Sequence, residues 1–218
     1  MINHLAQFAT PERFALFQRV VAERTRYFTA VLEDVYQGHN ASAVLRSADC
    51  FGIQDVYAVE DQNEYKVNQE IALGASKWLT LHTYDQAGGG VDQAIVDLRK
   101  QGYRIVATSP HANDVLLDNF DVTQGKAAMF FGTEKKGLSP AVMKQADEFV
   151  RIPMYGFTES FNVSVSAALV MQHITSQMRA LKVPWQLPED QQDQLLLTWL
   201  RASVRQSDRI LEKFLSTK

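Results

Sequence analysis

Between residues 27 and 182 the chain switches repeatedly between two hydrophobic periodicities, and that alternation constrains its fold more than any other feature. The runs YFTAVLEDV (27–35), QDVYAVE (54–60), WLTLHTY (78–84), YRIVATS (103–109), KAAMFFG (126–132) and EFVRIPM (148–154) are rich in β-branched and aromatic residues and read as strands. Helix-like stretches lie between them. Asn40 is placed to cap a helix whose Ala41, Val44, Leu45 and Ala48 form one apolar face and which ends near Gly52. NQEIALGAS (68–76), VDQAIVDLRKQ (91–101, stopped by Gly102) and SPAVMKQA (139–146) read as further helices, and 163–181 as a long one. Strands and helices alternating at this spacing imply an α/β domain with a mainly parallel sheet and helices on both faces. Ligands bind at the carboxyl ends of such strands, and the polar clusters of this chain fall at those turns.

The ends of the chain follow a different pattern. Thr10-Pro11 is a cap followed by proline at the first helical position, and Phe14, Phe17, Val20 and Val21 recur at helical spacing to about Arg24. Residues 182–188, KVPWQLP, read as a linker. Beyond it Leu200, Val204, Leu211 and Phe214 form a stripe, while Arg201, Arg205, Arg209 and Lys213 follow at steps of four, so one amphipathic basic helix is expected. The expected organisation is a helical extension at 1–26, a central domain at 27–182 and a second helical extension at 183–218.

Charge follows the same division. The net charge of −3 resolves into +2 over residues 1–30, +3 over residues 195–218 and −8 between them. Basic ends on an acidic body suit contact with a polyanion, through Arg13, Arg24 and Arg26 at one end and Arg201, Arg205 and Arg209 at the other; solvated helix faces are the alternative on charge alone. No apolar run approaches the ~20 residues that span a bilayer, and the N-terminus lacks a signal-peptide pattern, so a cytoplasmic protein is expected. Cys50 is the only cysteine, which excludes an internal disulfide, and it reads as a small buried residue. The histidines show no metal-ligand spacing, and no metal is expected.

Three segments carry the polar chemistry. In QGHNASAVLRSAD, Ser42, Arg46 and Asp49 lie opposite the apolar stripe, so Arg46 points away from the core, a guanidinium suited to a phosphate. In FFGTEKKGLSP, an apolar strand ends at Gly132, and Glu134 enters a Gly- and Lys-containing loop that lacks the Walker spacing. In IPMYGFTESFNVSVSAALVM, a strand end runs through hydroxyl and amide groups into a helix that opens on small residues.

Together, N-A-S-A-V-L-R (Asn40 to Arg46), F-F-G-T-E-K-K-G-L (Phe130 to Leu138) and I-P-M-Y-G-F-T-E-S-F-N-V-S-V-S-A-A (Ile152 to Ala168) resemble the three ordered motifs of the SPOUT methyltransferases, in the SpoU branch of RNA ribose 2′-O-methyltransferases. The resemblance implies a trefoil knot in the C-terminal half of the domain, a homodimer, and S-adenosylmethionine (AdoMet) as cofactor. It assigns Arg46, Asn40, Glu134, Ser160 and Asn162 to catalysis. It assigns Thr108, Gly132, Ile152, Met154, Phe161 and Asn162 to the cofactor pocket, partly through their backbone. It departs from the family pattern at Gly38, where relatives often have proline, which suggests a more mobile loop. His39 beside it reads as a contact to phosphate or water. The flanking helices, without a large RNA-binding domain ahead of them, are most similar to those of enzymes that methylate the D-loop guanosine of tRNA. A ribosomal-RNA enzyme of the same branch and a non-catalytic RNA-binding homologue are the alternatives.

Overall fold

The computed structural model describes residues 1–35, 38–60, 74–109, 114–133 and 136–216. Its strands are β1 (Phe28–Glu33), β2 (Asp55–Val59), β3 (Thr80–Tyr84), β4 (Arg104–Thr108), β5 (Val115–Leu116), β6 (Ala127–Phe131) and β7 (Glu148–Arg151). They form one sheet in the order β3-β2-β1-β6-β4-β7-β5, and each pairing among the described residues is parallel. The helices of this domain are α3 (Gly38–Cys50), α4 (Gly90–Lys100), α5 (Pro140–Gln145) and α6 (Val163–Ala180).

The sequence of β1, FTAVLE, is buried along its whole length because helices cover both faces of the sheet. Ala30 and Leu32 join one core with Val44 and Leu45 of α3 and Ala167 and Met171 of α6. Val31, pointing the other way, joins a second core with Ile95 and Leu98 of α4 and Val142 of α5. The chain first winds outward from β1 through β2 to β3, then returns past β1 to lay down β4. Only later does β6 fill the position between β1 and β4, and β7 the one between β4 and β5. The registers Leu32↔Phe131, Ala107↔Phe130 and Thr108↔Val150 bring the carboxyl ends of β1, β6, β4 and β7 to one edge.

Two compact units are present. Residues 26–185 contain the sheet, and residues 1–25 together with 186–218 form a helical unit. Within the helical unit are α1 (Ile2–Ala6), α2 (Pro11–Val21), α7 (Glu189–Ser203) and α8 (Ser207–Ser216). Thr10 caps α2 as expected, its side chain accepting from the Arg13 N–H at 3.2 Å. Leu5, Phe17, Val21, Leu196, Trp199, Leu200 and Leu211 are buried here. No described helix is long and apolar enough to cross a membrane.

Three expectations need correction here. The basic helix is not continuous. Val204 is extended, Gln206 takes a left-handed φ of 59°, and Ser207 Oγ donates to the Arg201 carbonyl at 2.9 Å, so the steps of four are broken between Arg201 and Arg209. Asn40 does not cap α3, which begins at Gly38. Cys50 is exposed rather than buried, because the helix ends there. The helix α1 and the two-residue strand β5 gave no signal in the sequence. Of the helix expected over 68–76, residues 68–73 lie outside the described residues.

Candidate active site

The first polar cluster sits on α3. Arg46 is exposed and, among the described residues, forms no ion pair. Asp55, the acidic residue that opens β2, is engaged by Arg26 at 2.6 Å and His82 at 3.3 Å. Ser42 does not share the solvent-facing side; it is fully buried, and its Oγ donates to the Gly38 carbonyl one turn back at 2.5 Å. His39 is exposed in the first turn of α3.

The third cluster meets the first. Asn162 caps α6, its Oδ1 accepting from the Ser164 N–H at 2.9 Å and the Ser164 Oγ at 2.6 Å. Its Nδ2 donates to Asn40 Oδ1 at 3.1 Å. One asparagine thus caps its own helix and joins the start of another. Ala41 and Ala167 are fully buried in the same core, and small residues there let α3 and α6 pack closely.

The second cluster is a closed loop. Thr133 and Gly137 exchange backbone hydrogen bonds at 3.1 and 2.9 Å, and the Lys136 N–H donates to Thr133 Oγ1 at 3.0 Å. Gly132 packs so tightly beneath this closure that a Cβ would lie 2.3 Å from the Gly137 carbonyl carbon and oxygen. Gly137 itself has φ +69°, with open space beside it. Ser139 then caps α5, accepting from the Val142 N–H at 3.3 Å. Glu134 lies outside the described residues.

Of the expected cofactor residues, Thr108, Gly132 and Ile152 lie at the shared carboxyl edge. Thr108 ends β4 and donates its hydroxyl to the Phe130 carbonyl at 2.7 Å, next to Gly132. Ile152 and Met154 follow β7 and are half-buried, whereas Ser160 and Phe161 are exposed. Among the described residues, the backbone of 153–161 makes no backbone hydrogen bonds.

One residue at this edge escaped the sequence reading. Glu33, the last residue of β1, is only 4% exposed, and its Oε2 accepts from the Ser139 N–H at 2.8 Å. The signal was present as an acidic residue ending an otherwise apolar buried strand.

Of the basic residues, Arg24 does not belong to an exposed face. It is 1% exposed, with its guanidinium 5.4 Å from the centre of the Trp199 ring within the helical unit. Arg26 lies in the sheet domain, where its charge is compensated by Asp55. Arg201 forms an exposed ion pair with Asp208 at 2.7 Å. Arg13, Arg205 and Arg209 are exposed, and Arg13 also lies over Phe17 at 5.1 Å.

The parallel sheet with its inserted strands thus carries an asparagine-linked pair of helices, with the exposed Arg46 further along the first of them. Over residues 27–172 the chain matches the model of the SpoU rRNA Methylase family, and it belongs to that family. It is 39% identical to the tRNA (guanosine(18)-2′-O)-methyltransferase of Borreliella burgdorferi, an alignment covering 94% of this chain and 91% of the relative. Its structure is similar to that of a TrmH/SpoU tRNA modifying enzyme from A. aeolicus, with a TM-score of 0.79, 26% identity, and coverage of 89% of this chain and 98% of that one. It also shares the fold of a SpoU methyltransferase from Streptomyces viridochromogenes crystallised with its cofactor AdoMet, with a TM-score of 0.59, 19% identity, and coverage of 73% and 64%.

Proposed function

We propose that this protein transfers a methyl group from AdoMet to a ribose 2′-hydroxyl of tRNA, at guanosine 18 of the D-loop, and that it works as a homodimer with a knotted C-terminal half. The observation that carries the reading is the 3.1 Å bond from Asn162 to Asn40, which links the third motif to the first, the one that also carries the exposed Arg46. The match to the Borreliella burgdorferi tRNA enzyme along nearly the whole chain favours tRNA over ribosomal RNA.

The residues present suit the cofactor. Thr108, Gly132 and Ile152 lie at or just past the ends of neighbouring strands at one edge, and the backbone of 153–161, which makes no backbone hydrogen bonds among the described residues, offers donors and acceptors to an adenine. Bound AdoMet supplies a methyl group already activated by its sulfonium. The protein's task is then alignment and charge stabilisation. Arg46, fixed on α3, holds an RNA phosphate and stabilises the alkoxide that develops as the 2′-hydroxyl loses its proton. A guanidinium stays charged and does not accept that proton, which passes to solvent water. Asn40 and Asn162 orient the nucleophile's surroundings, with Ser160 and Glu134 completing the set.

Two exposed apolar features support self-association. Val165 and Leu169 lie one turn apart on α6, and Tyr155 and Phe157 stand almost fully in solvent in the preceding segment. Arg13, Arg205 and Arg209 of the helical unit contribute positive charge toward tRNA.

Transfer of tritium from labelled AdoMet to unmodified tRNA, followed by mass-spectrometric mapping of the modified nucleotide, tests the reading. A 2′-O-methylguanosine at position 18 is the expected product. Methylation confined to ribosomal RNA would move the protein to the other substrate class, and no transfer to either would remove the activity.

A further inference from the structure

A buried carboxylate needs a reason, because removing it from water is costly unless it is well bonded. Glu33 ends the inner strand β1 at 4% exposure, at the edge where the proposed site opens. Its Oε2 accepts the Ser139 N–H at 2.8 Å, and its burial leaves it shielded from screening by solvent. The loop on the other side of that bond is closed onto itself by the Thr133–Gly137 pair, with Gly132 wedged beneath. The contact at Ser139 ties the limb that returns from this closure to the end of β1.

We propose that Glu33 is a positioning residue for methyl transfer: its carboxylate sets the height of the Gly137–Ser139 limb above the carboxyl edge of the sheet, and through it the shape of the AdoMet pocket. This rests on the functional reading above. Glu33 touches neither methyl donor nor RNA in this role. It acts through backbone, so a neutral acceptor at the same place preserves much of the effect and an apolar side chain of similar size abolishes it.

The test compares Glu33→Gln, which keeps an acceptor for the Ser139 N–H, with Glu33→Leu, which removes it. AdoMet affinity is read by calorimetry, and KM and kcat for AdoMet and tRNA are measured separately. Glu33→Leu is expected to weaken AdoMet binding roughly tenfold, Glu33→Gln by less than about threefold, and neither to change KM for tRNA. A second pair guards against misfolding of the leucine variant. Ser139 has φ −65°, which proline adopts, so Ser139→Pro deletes the N–H and the capping hydroxyl, while Ser139→Ala deletes the hydroxyl alone. The proline variant should match Glu33→Leu and the alanine variant should bind AdoMet like the wild type. Equal AdoMet affinity across the four variants, or a loss confined to thermal stability or to tRNA affinity, overturns the role. A wild-type chain that neither binds AdoMet nor methylates tRNA refutes the functional reading itself, a result obtained before any variant is compared.

Discussion

Asn162 Nδ2 and Asn40 Oδ1 meet at 3.1 Å although 122 positions separate them in the chain. The same Asn162 side chain caps α6 through its other atom, Oδ1, so it holds a helix start and a tertiary contact at once. Replacing Asn162 by Ala should cost about 2 kcal/mol, the sum of a lost cap and a lost hydrogen bond, and replacing Asn40 about 1 kcal/mol. In a double-mutant cycle on urea unfolding the two should couple by roughly 1 kcal/mol. Strict additivity would separate the first and third motifs.

Arg46 stands exposed on α3 without an ion pair among the described residues, so its removal should leave the fold alone. Arg46→Ala is expected to lower kcat by about two orders of magnitude with unchanged AdoMet affinity and melting temperature. Arg46→Lys should recover little, because a point charge does not reproduce a planar fork of donors. Single-turnover assays on unmodified tRNA provide the measure.

Gly132 and Gly137 are required for different reasons, and substitution separates them. Gly132→Ala pushes a methyl group into the Gly137 carbonyl and should cost about 3 kcal/mol or prevent folding. Gly137→Ala has room for its methyl group but keeps φ +69°, and should cost about 1 kcal/mol. Chemical denaturation of the two variants decides between crowding and backbone strain.

In the helical unit, Arg205 and Arg209 should weaken tRNA binding and flatten its salt dependence when both are changed to Gln, with AdoMet affinity unaffected. Arg201→Gln should do less, since Asp208 already compensates that charge. Arg24→Ala should lower the melting temperature, because it removes a buried guanidinium stacked on Trp199. Filter binding across a salt series, alongside thermal melts, distinguishes these effects.

Burial alone would raise the pKa of Asp55, but hydrogen bonds and charge from His82 and Arg26 outweigh it and hold the carboxyl below its ordinary value of 3.8. A depressed folded-state pKa contributes stability that is fully present above the unfolded pKa and is lost as pH falls through the folded one. Asp55→Asn should therefore destabilise the protein at pH 7, and the gap from wild type should close as pH drops below about 4. Arg26→Ala should show the same pH trend and little change in tRNA affinity.

Much of the sheet domain was legible because buried parallel strands and amphipathic helices have periods that differ. The pairing of Asn40 with Asn162 was not, since asparagine ahead of an apolar stripe reads equally well as a cap, and only packing of α3 against α6 reveals its partner. The three motifs were visible as residues, but the burial of Ser42 depended on which neighbours closed over that turn. The break between α7 and α8 was hidden because the left-handed position falls to Gln206 and not to a glycine. Arg24 misled for a related reason: charge at a helix end says nothing about an indole that arrives from the far end of the chain at Trp199.

The order in which the strands are laid down governs how this protein is born. A nascent chain emerging from the ribosome presents β1 and β4 with a vacancy between them until residues 127–131 appear, and β4 and β5 wait in turn for residues 148–151. Consolidation is thereby deferred until most of the polypeptide has been made, so premature release leaves open edges available to other chains, and synthesis should be the stage at which the protein depends most on chaperones.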